Sequence, residues 1–147
     1  MAKLSTSVVR RPGRVTIDRT FTDPANPELT FSLKLRRLSA LEWVAAADQA
    51  RDLAEQYVYG INGAEPEPLP PVDGQPVYTS ESTFKMLCAL EYAQVADTDD
   101  RYTAIELLIF ATVDAIQSQL MKAFQDLQNL TGQTADGENS PLASIAG

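Results

Sequence analysis

A chain of 147 residues, 44% hydrophobic and 22% charged, has the length and composition of one ordinary globular domain. It contains no histidine, which takes away the commonest general base and zinc ligand, and its single cysteine, Cys88, cannot form an internal disulfide. The net charge of -8 is unevenly spread: residues 1–38 carry eight Lys and Arg against three acids, a balance of +5, and the remainder carries four against seventeen, a balance of -13.

Residues 1–13, closed by "RRPG", read as a flexible basic arm. "MAKLSTSVVRRPGRV" has charge without an apolar segment behind it, so no secretory signal is expected. A hairpin is expected over residues 14–38. In "RVTIDRTF" Val15, Ile17 and Phe21 alternate with Thr16, Asp18 and Thr20, and Arg19 falls on the apolar side, as in an edge strand that resists unwanted pairing. "TDPANPEL" has two prolines and should be a loop. Leu29, Phe31, Leu33 and Leu35 then form one face of a second strand, and Lys34 and Arg36 lie on the other.

At Leu38 the two-residue period stops. Ser39-Ala40-Leu41-Glu42 fits a capping box, which predicts a helix over 39–59 ending at Gly60. Trp43, Ala47, Ala50, Leu53, Ala54 and Tyr57 recur on its inner side. Residues 61–81 hold five prolines and two glycines in "NGAEPEPLPPVDGQPVYTSES", a long semi-rigid loop. A helix over 82–96 follows, with Phe84, Leu87, Cys88, Tyr92 and Val95 on one stripe. Another is expected over 100–131, started by the acids of "ADTDD" and closed by Gly132. In it Leu107 and Phe110 lie off the main apolar face, so its first half must be covered on two sides or offer apolar surface. Residues 132–147 are small, polar and aperiodic and read as a disordered tail. The whole is an α+β chain, mainly helical: a single domain over 14–131 with an N-terminal hairpin packed on about three helices.

No chemistry emerges from the motifs. Cys88 lies on an apolar stripe, where a structural thiol is expected. Asp97, Asp99 and Asp100 lack the glycine and terminal glutamate of a calcium loop and fit a helix start. There is no phosphate-binding glycine loop, and the basic residues lack the interleaved aromatics that stack bases. Neither an enzyme nor a cofactor is expected. The apolar runs are broken by charges such as Glu106, so no membrane span is expected and the reading is of a soluble cytoplasmic protein.

The element order, with "RTFTDPANPELTFSLKLRRLSALEW", the alanine-rich helix ending "YVYG" and the loop "PEPLPPVDGQPV", resembles the small tail assembly chaperones of long-tailed bacteriophages and related prophages, over about residues 14 to 130. That resemblance implies a non-enzymatic protein of the host bacterial cytoplasm that binds the long apolar tape measure protein, or other tail proteins, while the tail tube assembles. On this reading Leu107 and Phe110 would supply apolar contact, and Lys34, Arg36 and Arg37 a basic rim towards an acidic partner or another copy of the chain. Two other readings stand beside it. One is a virion structural component such as a neck, adaptor or tail-tube accessory protein, with the hairpin adding to a neighbour's sheet. The other, less favoured because net acidity repels polyanions, is a small nucleic-acid-binding regulator.

Overall fold

The alternation in the first forty residues produces an antiparallel hairpin of β1 (Thr16–Asp23) and β2 (Asn26–Arg36), in register Ile17 to Leu35 and Phe21 to Phe31. This computed structural model describes residues 16–95 and 101–135. The basic arm, the acids of "ADTDD" and residues 136–147 lie outside the described residues. Phe21, Phe31, Leu33 and Leu35 are buried, and on the opposite face Thr20 meets Ser32 (3.1 Å) and Thr22 meets Thr30 (3.2 Å) through their hydroxyls. The expected proline loop is shorter than its composition suggests. Pro24 and Ala25 make the turn, held by the Ala25 amide donating to Asp23 Oδ1, and Pro27 belongs to β2. The register shifts between Thr22 and Asp23, and that irregularity accommodates a residue with no N–H to give the ladder.

Helix α1 (Ala40–Ala54) starts as expected: Ser39 accepts from the Glu42 amide, and the Glu42 side chain accepts from the Ser39 amide. Its buried stripe is Ala46, Ala50 and Ala54, with Trp43, Leu53 and Tyr57 partly buried and Ala47 on the outside. Alanines at four-residue spacing let α1 lie close against its neighbour. The last turn, Glu55–Tyr59, widens to a π-helix and stops at Gly60.

The neighbour is α2 (Glu81–Ala93), capped by Ser80, and it is the centre of the molecule. Phe84, Leu87 and Cys88 are buried as expected, but so are Met86, Ala89, Leu90 and Ala93, so this helix is covered on most sides. Between α1 and α2 the proline loop is tacked down at two points and pinned on itself at a third. Leu69 is buried, the Glu67 amide donates to Gln56 O (2.9 Å), and Val72 pairs with Gln75 around a turn at Asp73 and Gly74, both with positive φ.

The helix expected over 100–131 is two helices, α3 (Ala104–Phe110) and α4 (Asp114–Ala135). Between them Thr112 N and Val113 N bond three residues back, to Ile109 O and Phe110 O, and Thr112 Oγ1 also donates to Ile109 O (2.7 Å). This corner lets Leu107 and Leu108 of α3 and Ile116, Leu120, Ala123 and Leu127 of α4 all enter one core. Helix α4 also runs through Gly132 to Ala135, so the expected stop at that glycine, and a tail beginning there, are not observed.

A polar joint ties the segments together. Gln94, only 2% exposed, donates from Nε2 to Tyr102 O (2.7 Å) and accepts at Oε1 from Tyr102 N (2.8 Å). Glu91 Oε1 accepts from Gln49 Nε2 and from the Ala104 amide in the first turn of α3. Helix α4 closes the outer edge of β1: Gln119 Oε1 accepts from Thr22 N (3.1 Å), and its Nε2 donates to Thr22 O (2.9 Å).

Candidate protein-binding site

The basic residues of the hairpin serve the fold more than the sequence suggests. Arg36 grips Glu42 with both terminal nitrogens (3.0 and 2.7 Å) and donates also to Tyr92 O and Arg37 O, so it fastens β2 to the first turn of α1. Arg19 does not stand at an open edge. Its Nε and Nη2 both reach Asp126 Oδ2 on α4 (3.1 and 3.0 Å), and its Nη1 donates to Asp18 O. Of the expected rim, Lys34 has an exposed side chain and Arg37 a half-buried one. The Lys34 carbonyl accepts from the Val95 amide, which occupies the edge of β2 there.

The Arg36 grip holds the Glu42 carboxyl down at about 2, against an ordinary value of 4.5. A folded-state value below the unfolded one stabilises the protein fully above pH 4.5, and that contribution is lost as the pH falls from 4.5 towards 2. With the two side chains about a third exposed, the pair is expected to contribute about 1 kcal/mol. In denaturant titrations, Glu42→Gln should therefore be less stable than the parent at neutral pH, and the two should converge near pH 2.

Of the two outcomes expected for the apolar candidates, coverage or open surface, the first is observed. Leu107 is fully buried, and Phe110 stacks on Phe31 (4.3 Å between centroids) and meets Tyr102 edge-on. Phe110 belongs to the seam between hairpin and helices and Leu107 to the buried core, so neither offers open apolar surface. Cys88 is buried as expected, and burial, with the nearby Glu91 charge added, pushes its thiol up to about 12. It should be inert to an aromatic disulfide reagent at neutral pH in the folded protein and react at once in denaturant, as followed by absorbance.

Part of the open apolar surface lies on the last helix. A groove of about 400 Å³ runs between the start of α2 and the middle of α4. Met86, Met121 and Phe124 form its apolar wall, and Gln117, Gln125 and Gln128 its polar one, with Ser82 and Thr83 at the mouth. Met121 is 48% exposed, and Phe124 is braced from behind by Trp43, edge-on at 6.1 Å. Among the described residues no charged side chain lines the groove, although the body around it is strongly acidic. Met86 is only part of a helical pattern in the sequence, and Met121 falls between the buried positions of α4. The signal for the groove was the run of glutamines and methionine spaced three to four residues apart on α4 (Gln117, Met121, Gln125, Gln128), a face neither charged nor core-like.

Among the described residues no group of three or more His, Cys, Asp or Glu is placed to hold a metal ion, and no helix is long and apolar enough to cross a membrane. Comparison with protein-family models, with curated proteins and with solved structures finds no match.

Proposed function

We propose that this protein is a non-enzymatic chaperone of the tail-assembly kind, which holds an apolar helical segment of the tape measure protein, in the groove between α2 and α4. The uncharged, methionine-walled groove carries the reading. A helix laid in such a groove buries residues at three- and four-residue spacing, and flexible methionines adapt to unlike side chains, which suits a partner presenting many similar segments in turn. Glutamine amides along the other wall can give or accept hydrogen bonds without demanding a charge from the ligand. The resemblance of the element order to tail assembly chaperones supports the same reading.

The test is co-expression with a tape measure protein of a long-tailed bacteriophage, followed by affinity purification. The parent should keep the tape measure protein soluble and co-purify with it. Met121→Asp places a charge on the groove wall at an already exposed position, so the circular dichroism spectrum should be unchanged and the yield of complex should fall at least tenfold. A Met121→Asp protein that still holds the partner would defeat the assignment of the groove, and a parent that leaves the partner insoluble would defeat the chaperone reading itself.

A further inference from the structure

A second cavity, of about 300 Å³, opens between the π-helical turn and the proline loop. Tyr57 and Val58 form one side, Pro66 and Pro68 another, and Tyr78 and Thr79 a third. Around it the surface is unusually aromatic for a loop: Tyr78 is 85% exposed and Tyr59 60%, with Ile61 beside them at 51%. Thr79 Oγ1 is buried and has no hydrogen-bond partner among the described residues, which leaves a polar group at the cavity wall for a ligand to meet.

The same segment is acidic. Glu65, Glu67, Asp73 and Glu81 flank the cavity in sequence, and none forms an ion pair with a Lys or Arg among the described residues. Glu67 accepts from Gln56, and Glu81 accepts from the Tyr59 hydroxyl. Of the two nearby bases, Arg51 pairs with Glu55 and Lys85 lies a turn along α2. Tyrosine faces, unpaired carboxylates and the carbonyls of a proline-rich backbone are all electron-rich, so the site suits an extended, arginine-bearing peptide.

We propose that this pocket takes the basic segment Arg10-Arg11-Pro12-Gly13-Arg14 of a second copy of the chain. Charge complementarity selects it, because four of the eight bases in the N-terminal part precede Thr16 and no acid accompanies them. Geometry makes the contact one between copies. Thr16 pairs with Arg36, which grips Glu42 at the start of α1, whereas the pocket lies at the far end of that helix, beside Tyr57. Glu42 to Tyr57 is fifteen residues, about 23 Å of helix. Arg10 stands six residues before Thr16 and Arg14 only two, so the segment as a whole, centred on Pro12, lies within about 14 Å of Thr16. Each copy thus offers one basic segment and one pocket at opposite ends, a head-to-tail contact that generates open chains or a ring.

Sedimentation velocity on the full chain tests this. The parent should associate beyond a dimer as its concentration rises from micromolar to millimolar, and high salt should weaken that association about tenfold or more. Arg10→Glu/Arg11→Glu and, separately, Glu65→Lys/Glu67→Lys should each sediment as monomers. Tyr78→Ala, at an exposed position that the core does not use, should weaken association in the same way without altering the fold. Mixing the arm variant with the pocket variant should restore association that neither shows alone, because the intact arm of one meets the intact pocket of the other. Met121→Asp should associate like the parent, which keeps this result separate from that of the groove. A parent that stays monomeric, an arm variant that associates like the parent, or a mixture that forms no pair would overturn the proposal.

Discussion

Gly60→Ala should lower stability by on the order of 4 kcal/mol and the melting temperature by roughly 10 °C. Gly60 ends the π-helical turn at φ +89, a conformation that L side chains rarely adopt. A Cβ there would fall 1.9 Å from the carbonyl oxygen of Ala64, which belongs to backbone, so no side chain can swing aside to make room. The chain would have to move the start of the proline loop, and with it the amide bond from Glu67 to Gln56 O and the buried Leu69. Gly74→Ala is the control. Gly74 has a similar φ of +75, but a Cβ there meets nothing within 4 Å, so only the conformational cost of about 1 kcal/mol should appear. Equal losses for the two variants in a denaturant titration would show that the Ala64 contact has no weight.

Gln94→Leu should cost about 2–4 kcal/mol, because it leaves the N–H and C=O of Tyr102 without the two hydrogen bonds that the buried amide now supplies. Leucine fills nearly the same volume, so loss of packing does not account for the effect. Gln94→Glu separates the two bonds. A carboxylate keeps the acceptor for Tyr102 N but cannot donate to Tyr102 O, and at 2% exposure it is poorly solvated. Its folded-state pKa should rise above the unfolded value, so the variant should be weakest at neutral pH and regain stability relative to the parent as acid protonates it. A pH-independent gap between Gln94→Glu and the parent would show that the donated bond to Tyr102 O contributes little.

Much of the architecture can be read from local pattern. The two-residue period of Leu29, Phe31, Leu33 and Leu35 and the Ser39–Glu42 box place the hairpin and α1, since both are decided by neighbours a few residues apart. The corner at Thr112 escapes such reading because no glycine or proline marks it. It is set by the competition of a threonine hydroxyl for a helix carbonyl and by burial of Leu107 and Leu108 in one core with Leu120. Thr103 and Glu106 form a second capping box, visible as T-x-x-E in the sequence, that places the true start of α3 after the acids expected to provide it. The roles of Arg19 and Gln119 depend on partners about a hundred residues away, so no local window contains them. The open groove was hidden for a related reason: which side of an amphipathic helix stays uncovered depends on where its neighbours end, and Phe110 is covered by a hairpin that the helix alone does not reveal.

The bond pair between Gln119 and Thr22 has a further consequence for the order in which the molecule is made. Both strands end by Arg36, but the groups that cover the outer edge of β1 and pair with Arg19 lie at positions 119 and 126. During translation, therefore, the strands emerge well before the groups that match the outer edge of β1. Closure of this long-range seam is the step with the largest loop entropy, so it should limit the folding rate. A chain interrupted before Gln119 would present the bare edge of β1 as a template for pairing with other chains.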